Sequence, residues 1–163
     1  MKMEIVEISQ VNDCLAEMVA LFRVELRSYK GIESKPNEDA GREEMEEYLA
    51  AGFPVFAATV DGEYAGYVVC RVDSEVVWVE SIFVKEEYRR HGVASALHSK
   101  AEEIATSYGD DTVYNYVHPN NHRMIGFLRK RGYTVLNLIE IRKPYKGEKL
   151  TQTITVGEHE FDY

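Results

Sequence analysis

The chain has 163 residues, of which 45% are hydrophobic and 29% are charged, and its net charge is −9. This length suits one globular domain with its own core, and the composition excludes a disordered or fibrous protein. An acidic surface disfavours nucleic acid as a partner, and no apolar run approaches the ~20 residues that cross a membrane.

The first third of the chain predicts one strand and two helices. Residues 3–8 alternate apolar and charged side chains, which is typical of a strand. A helix follows that Asn12 or Asp13 can cap, with apolar side chains every three or four residues as far as Leu26. A second helix is predicted over 37–52, where the final glycine suits a helix end.

The middle of the chain is rich in strands. Residues 53–60 and 64–72 flank Asp61 and Gly62, a pair that is typical of a tight hairpin turn. Residues 76–84 are dense in β-branched and aromatic side chains and predict a third strand.

The last third alternates helices and strands. Over 92–109 the apolar residues recur at the spacing of a helix, and a short strand is predicted over 112–117. The next helix ends at Gly132 and is followed by a predicted strand over 133–141. A final strand over 151–156 leaves the last ~15 residues as a hairpin or tail.

The predicted order of elements is β-α-α-β-β-β-α-β-α-β-β, without repeats or a long linker. A meander of antiparallel strands followed by strand-helix-strand units indicates an α/β (α+β) fold. We therefore expect a mixed, mostly antiparallel central sheet with helices on its faces, built as a single domain over 1–163.

Two features favour a cytoplasmic protein. Glu4 and Glu7 interrupt the N-terminal apolar run, which is not the pattern of a signal peptide. Cys14 and Cys70 have no metal-site or disulfide spacing, so we expect two small buried side chains in a reducing compartment.

The turn between the strand at 76–84 and the following helix has the composition of a phosphate site. It reads RRHGVA at 89–94. A helix start carries unpaired backbone N–H groups, small residues let a phosphate approach them, and arginines add charge. The alternative is an ordinary loop with a tolerated glycine and solvated arginines.

Two linked motifs resemble a known family. WVESIFVKEEYRRHGVA at 78–94 is similar to the acetyl-CoA-binding segment of the GNAT superfamily of N-acetyltransferases, and Arg89, Gly92 and Ala94 match its Q/R-x-x-G-x-G/A signature. VHPNNHRMIGFLRKRGY at 117–133 resembles the family's asparagine-led helix that ends in glycine and an aromatic residue. Motifs and element order together extend the resemblance to about Arg142, and they imply a GNAT-like domain that uses acetyl-CoA as cosubstrate.

The resemblance implies a role for each matching position. Backbone groups of the strand would pair with the pantetheine arm in a splay beside the next strand, and the amides of the turn would hold the pyrophosphate. Asn121 would bind the pantetheine and Phe127 would pack beneath it, while Asn120 would cap the helix. The implied cofactor-binding residues are Ile82, Phe83, Val84, Arg89, Arg90, His91, Gly92, Val93, Ala94, Ser95, Asn121 and Phe127.

Glu80 is the candidate general base. Direct attack of an amine on a thioester requires that the ammonium lose its proton. Period-2 alternation predicts that Glu80 shares a strand face with Trp78 and Ile82, where burial would raise its pKa. Many members of the similar family carry a catalytic or water-organising glutamate at this position. The alternative is a solvated Glu80 paired with a nearby arginine.

The general acid is less clearly marked. Leu128 stands where the similar family most often has a tyrosine, and leucine cannot protonate a departing sulfur. Tyr116 or Tyr133 could substitute from an adjacent strand, although both also suit packing in an aromatic-rich core.

No metal site is expected. His118 and His122 are four apart, but Pro119 interrupts a helix through them. His91 and His98 are expected at the helix surface.

The leading hypothesis is an enzyme that transfers acetyl from acetyl-CoA to a primary amine of a small molecule, peptide or protein in a ternary complex. Its acceptor site is expected at the loop near 29–37 and at the C-terminal strands. The second hypothesis is a non-catalytic acetyl-CoA-binding module in which Leu128 marks a lost acid. A third is an interaction protein whose hairpin at 151–161 pairs with another chain, which would give a homodimer and is compatible with either of the others.

Overall fold

The computed structural model describes all residues from Met1 to Tyr163. The chain divides into two compact units, Met1–His118 and Pro119–Tyr163, and each is described by itself. A single domain over 1–163 stays a prediction.

The first unit is a five-stranded sheet with three helices, and its sheet order is β1-β2-β3-β4-β5. Neighbouring strands are antiparallel except β4 and β5, which are parallel. This confirms the predicted mixed, mostly antiparallel sheet. The elements are β1 (Met3–Glu7), α1 (Asp13–Ser28), α2 (Glu38–Ala50), β2 (Val55–Val60), β3 (Glu63–Asp73), β4 (Val76–Val84), a short 3₁₀ turn (Glu86–Tyr88), α3 (Val93–Ser107) and β5 (Tyr114–Asn115).

Asparagine side chains begin the first two helices. The side chain of Asn12 accepts a hydrogen bond from the backbone N–H of Leu15 at 2.9 Å. Asn37 accepts one from Ala40 at 3.1 Å. Each bond satisfies an N–H group that has no acceptor inside the helix, which fixes both helix starts where the sequence predicts them.

The two faces of the sheet carry different helices. Tyr67 and Val69 belong to the core that α1 and α2 form with the strands. A Cβ atom at neighbouring Gly66 would instead lie 3.2 Å from Leu97 of α3. Because successive strand residues point to opposite faces, α1 and α2 cover one face and α3 covers the other.

Helices α1 and α2 touch at a glycine. A Cβ atom at Gly41 would lie 2.4 Å from the carbonyl oxygen of Ala16 and 3.0 Å from the amide nitrogen of Ala20. The backbones of the two helices therefore approach closely, and Met45 of α2 and Leu15 of α1 belong to the same buried core.

Two predictions of burial were wrong in the first unit. His98 is fully buried rather than at the surface, because Asn115 supplies a hydrogen-bond partner for its imidazole at 2.9 Å. Cys14 is exposed rather than buried, since it lies on the outward side of the first turn of α1, while Cys70 is buried as expected.

The second unit consists of α4 (His122–Lys130) and a hairpin of β6 (Thr153–Val156) and β7 (His159–Asp162). The hairpin turns at Gly157, whose φ of 61° is in the left-handed region that glycine favours. The strand ending at Val156 and the turn at Gly157 were predicted from the sequence.

The strand predicted over 133–141 was wrong. Residues 134–141 form no helix or strand within the second unit. The total of seven strands was nevertheless right, because the hairpin supplies the last two. The sequence pattern signals burial in a sheet, and a strand also needs a neighbour to complete its ladder.

None of the helices in the structure is both long enough and apolar enough to cross a membrane.

Candidate functional site

The turn between β4 and α3 has an unusual backbone. Arg90 and Gly92 both have positive φ, 63° and 80°. Gly92 occupies the N-cap of α3 and provides no side-chain cap. The first intrahelical bond runs from the N–H of Ala96 to the carbonyl of Gly92 at 3.0 Å, so the amides of 93–95 have no acceptor inside the helix.

The space over this turn is open. A Cβ atom at Gly92 would meet nothing within 4 Å, and Arg90, His91 and Gly92 are exposed. Unpaired amides at the positive end of a helix, beside an exposed arginine and histidine, form a cradle for an anion of phosphate size. The turn therefore combines unpaired amides with positive charge, and its role in binding a pyrophosphate stays a prediction.

Arg89 is directed into the protein. Its Nε donates to the carbonyl of Val84 at 2.8 Å, and its guanidinium forms an ion pair with Glu25 of α1. The same group lies 5.6 Å from the ring centre of Phe83. Its contacts hold the turn between the end of β4 and α1, whereas Arg90 keeps an exposed side chain beside the cradle.

The sheet opens between β4 and β5. These strands pair only at Trp78 with Tyr114 and at Val79 with Asn115. Beyond Val79, the β5 side of β4 has no strand partner within the first unit, and this open edge passes residues 82–84 on its way to the anion cradle. An extended ligand with amide groups could lie along such an edge.

The imidazole of His98 contacts Asn115, the last residue of β5. Its Nε2 lies 2.9 Å from Oδ1 of Asn115, and its Nδ1 lies 3.6 Å from the carboxylate of Glu102. The sequence pattern did not predict this contact, although a histidine directly after Leu97 on the apolar side of α3 was a usable signal.

Glu80 is the extra residue of a β-bulge in β4. Val69 of β3 pairs with Ser81, but the next residue, Cys70, pairs with Val79. Glu80, which lies between Val79 and Ser81, has no pairing partner in β3, and this is the defining feature of a bulge.

The bulge changes which side chains share a face. Tyr67, Val69 and Arg71 point to the α1/α2 face, and their partners in β4 are Phe83, Ser81 and Trp78. The contact of Glu80 with Arg71 places it on this face together with Trp78. Ile82 pairs with Val68 and points to the α3 face, so the predicted sharing of one face by Glu80 and Ile82 was wrong.

Arg71 connects the candidate base to a candidate acid. Its Nε donates to Oε2 of Glu80 at 3.2 Å, and one terminal nitrogen donates to the hydroxyl of Tyr116 at 2.9 Å. The guanidinium also lies 4.3 Å from the ring centre of Trp78. The side chain of Glu80 is 28% exposed, so the structure favours the solvated, ion-paired alternative for the resting protein.

A second polar group lies on the same face. Glu44 of α2 forms an ion pair with Arg23 and accepts a hydrogen bond from the hydroxyl of Tyr48 at 3.1 Å. Burial and the nearby Glu44 raise the pKa of Tyr48, and the charge of Glu80 adds to this effect. The Tyr48 phenol therefore stays protonated and can only donate or accept a hydrogen bond here.

The helix of the second unit is capped differently from the prediction. Oδ1 of Asn121 accepts the N–H of Met124 at 3.1 Å, so Asn121 is the cap. Asn120 instead accepts a hydrogen bond from the hydroxyl of Tyr163 at 2.9 Å. The cap prediction for Asn120 was wrong, because the helix begins one residue later than the paired asparagines suggest.

The other predicted residues of the second unit lie on or just after α4. Phe127 is half-buried and Arg131 lies 5.7 Å from its ring centre. Tyr133 is half-buried, and Leu128 is buried with an exposed fraction of 6%. The ligand roles of Asn121 and Phe127 and the acid role of Tyr133 stay predictions.

Comparison with known proteins identifies relatives of the chain. Residues 18–133 match the family "Acetyltransferase (GNAT) family". An N-alpha-acetyltransferase of Sulfurisphaera tokodaii is 30% identical over 114 residues, which are 60% of this chain and 64% of that protein. The chain thus spans less than two thirds of that relative in the alignment.

Two solved structures share the fold. The aminoglycoside antibiotic 6'-N-acetyltransferase AAC(6')-Ih of Acinetobacter baumannii has a TM-score of 0.64 at 21% identity, with 88% of this chain and 99% of that chain covered. The PaiA N-acetyltransferase of Thermoplasma acidophilum, solved with coenzyme A, has a TM-score of 0.65 at 18% identity, with 80% and 89% covered. At these identities the likeness concerns the fold alone.

Proposed function

Because the chain belongs to the Acetyltransferase (GNAT) family, we propose that it transfers the acetyl group of acetyl-CoA to a primary amine. The reaction proceeds by direct attack in a ternary complex, and the protein acts in the cytoplasm. The acceptor is an amine of a small molecule, a peptide or a protein.

One observation carries the proposal: the open edge of β4 leads directly to the uncapped start of α3. Acetyl-CoA is an extended molecule with amides along its pantetheine arm and a pyrophosphate at the far end of that arm. The edge offers backbone groups to the amides, and the cradle offers N–H groups and Arg90 to the pyrophosphate. A fold neighbour solved with coenzyme A supports the same choice of ligand.

The chemistry assigns one proton transfer to Glu80. The acceptor arrives as an ammonium, and Glu80 removes one proton directly or through a water molecule. The amine nitrogen then attacks the thioester carbonyl, the attacking nitrogen loses its second proton to solvent as the amide bond forms, and the carbon–sulfur bond breaks. Arg71 holds the Glu80 carboxylate in place through its hydrogen bond at 3.2 Å.

The departing thiolate receives a proton from Tyr116, Tyr133 or solvent. Tyr116 is positioned by Arg71 at 2.9 Å and is exposed, so it can exchange protons with water. A thiol with a pKa of about 8.5 is a good leaving group, so this step can proceed although Leu128 cannot donate a proton.

The acceptor is expected to be cationic. Glu44 and Glu80 both belong to the α1/α2 face, and each has an arginine partner. An ammonium near Glu80 would compete with Arg71 for the carboxylate. The name of the Sulfurisphaera relative supports peptide or protein N-termini, and that of the Acinetobacter neighbour supports aminoglycoside amines.

Release of the CoA thiol tests the proposal with a panel of peptide, polyamine and aminoglycoside amines. A Cys14→Ser background removes an exposed thiol that would react with the reagent. Glu80→Gln should lower kcat by roughly 10²–10⁴-fold and shift the acid limb of the pH–rate profile, because it removes the base and keeps the side-chain shape. Glu63→Gln, an exposed glutamate of β3, is the matched control.

The buried Leu128 favours one alternative, a non-catalytic acetyl-CoA-binding module. Calorimetric titration with acetyl-CoA distinguishes the two functions. Saturable binding without turnover on any amine would establish the module, and unchanged rates in Glu80→Gln would remove Glu80 as the base. Absence of binding would refute both.

A further inference from the structure

Helix α3 carries a buried histidine whose hydrogen-bond partner lies on another element. The other buried residues of α3 are apolar, and they are Val93, Leu97, Ala101 and Ala105. His98 lies beside them and has no exposed surface. Because a buried polar ring lowers stability unless it is hydrogen-bonded, the partner of the imidazole indicates its role.

The partner is the side chain of Asn115. Nδ2 of Asn115 donates to the carbonyl of Val113 at 3.3 Å, so Oδ1 is the atom that faces the imidazole. Because an amide oxygen only accepts, Nε2 of His98 is the donor of the 2.9 Å contact. Glu102, one turn later in α3, lies 3.6 Å from Nδ1 of the same ring. The side chain of Asn115 is thus bonded both to its own segment and to α3.

The contact between His98 and Asn115 is made where β4 and β5 separate. Asn115 pairs with Val79 in the last step of the parallel ladder. Beyond this step, β4 has no strand partner on that side within the first unit. The hydrogen bond that fixes Asn115 therefore also fixes the point at which the opening between the two strands begins.

The same helix begins at the anion cradle. The cradle amides belong to residues 93–95, and His98 follows three to five residues later in α3. At 1.5 Å per residue this is a rise of roughly 5–8 Å along the helix. One helix thereby determines how far the cradle lies from the start of the opening. An extended ligand that occupies both binds more tightly when this separation is already fixed.

We propose that His98 is a positioning residue for the pantetheine arm of acetyl-CoA, because it holds the end of β5 where the opening begins. This inference rests on the proposed function. Since the imidazole is fully buried, it acts through Asn115 and not by contact with the ligand. Without its hydrogen bond, the end of β5 would become ordered only on binding, and the cost of that ordering would reduce the affinity.

Calorimetric titration with acetyl-CoA tests whether His98 and Asn115 act as a pair, in a double-mutant cycle. His98→Leu should raise Kd by roughly 10-fold, because it leaves the carbonyl of Asn115 without its donor. Asn115→Ala should raise Kd by a similar factor, and the double variant should bind no more weakly than either single variant. His98→Gln should stay within about 3-fold of the wild type, because its amide nitrogen can replace Nε2 as the donor.

Ala105→Gly is the matched control for a loss of helix stability. Ala105 is buried in α3 two turns beyond His98, and glycine at this position weakens the helix. Circular dichroism melts record the stability of every variant. We expect Ala105→Gly to melt at a lower temperature and to keep the wild-type Kd. An effect of His98→Leu that came from helix stability alone would appear in Ala105→Gly as well.

Amide hydrogen exchange resolved by NMR gives a second test, on the unliganded chain. His98→Leu should accelerate the exchange of the β5 amides at 114–115 relative to those of β2 and β3, and His98→Gln should not. If His98→Leu does not fold, Asn115→Ala takes its place in both tests, because Asn115 is only half-buried.

Failure of the proposed function and failure of this inference give different results. A wild-type chain that does not bind acetyl-CoA would refute the proposed function, and with it the role of His98 in binding that ligand. A wild-type chain that binds, with an unchanged Kd in His98→Leu or additive losses in the double variant, would overturn the inference alone. Unchanged exchange of the β5 amides in His98→Leu would also overturn it.

Discussion

Replacing Gly41 with alanine should bring α1 and α2 into collision. The added Cβ would lie 2.4 Å from the carbonyl oxygen of Ala16 and 3.0 Å from the amide nitrogen of Ala20. Both are backbone atoms of α1, so no side-chain rotation can relieve the contact. The helices must move apart, and Met45 of α2 then loses packing in the core that it shares with α1.

Two opposing effects determine how much Gly41→Ala changes the free energy of unfolding. Alanine is favoured over glycine inside a helix by about 1 kcal/mol. Overpacking a well-packed contact costs about 1–3 kcal/mol, and rigid backbone at 2.4 Å points to the upper end. The net loss should be about 2 kcal/mol, which lowers the Tm of a chain of this size by roughly 4–8 °C.

Gly126→Ala is the matched control, because Gly126 lies inside α4 and a Cβ there would meet nothing within 4 Å. It should stabilise α4 by about 0.5–1 kcal/mol. Circular dichroism melts measure Gly41→Ala, and amide exchange of α4 measures the control, since the two glycines lie in different compact units. A Gly41→Ala chain as stable as the wild type would refute the close approach of the helices.

The cysteines and His118 give two further tests. A thiol reagent should modify Cys14 rapidly and Cys70 only after unfolding, because burial raises the pKa of the Cys70 thiol to about 12; two fast-reacting thiols in the folded chain would contradict this. Burial, with the charge of Lys30, lowers the pKa of His118 below 6.5, so its protonation favours the unfolded chain and stability should fall as the pH drops from 6.5 through the lowered pKa. His118→Gln should reduce this loss in urea midpoints measured between pH 7.5 and 5, and equal losses in both chains would contradict it.

Local patterns were sufficient to predict most of the first unit. Helix starts at Asn12 and Asn37 depend on a few neighbouring residues, so the sequence places them well. The Asp61-Gly62 hairpin and the turn before α3 are similarly local. Features of this kind can be predicted because the physical cause lies within one turn of the chain.

The remaining features depend on distant residues. The bulge at Glu80 exists only in the register between β3 and β4, and Arg71 reaches Glu80 because that register brings them together. His98 is buried because Asn115 lies opposite it. No single segment contains this information, and period-2 alternation therefore gave the wrong face for Ile82.

The C-terminal part of the chain also shows what a local sequence pattern cannot predict. The composition of 134–141 predicts a strand, yet the second unit by itself contains no helix or strand there. The choice between Asn120 and Asn121 as the cap depended on one residue of helix length. Whether a strand forms and which asparagine caps a helix depend on the surrounding residues, so the local sequence pattern alone does not predict them.

The opening between β4 and β5 has a thermodynamic consequence. The first unit leaves part of this sheet edge without a strand partner, so its unliganded state forgoes the stability that a longer β5 would have added. When a ligand binds in this gap, the free energy that a longer β5 would have added appears as binding affinity. The two strands do not have to separate first. Under the proposed function, acetyl-CoA would therefore act as a stabilising component of the sheet, and the melting temperature would rise with its concentration.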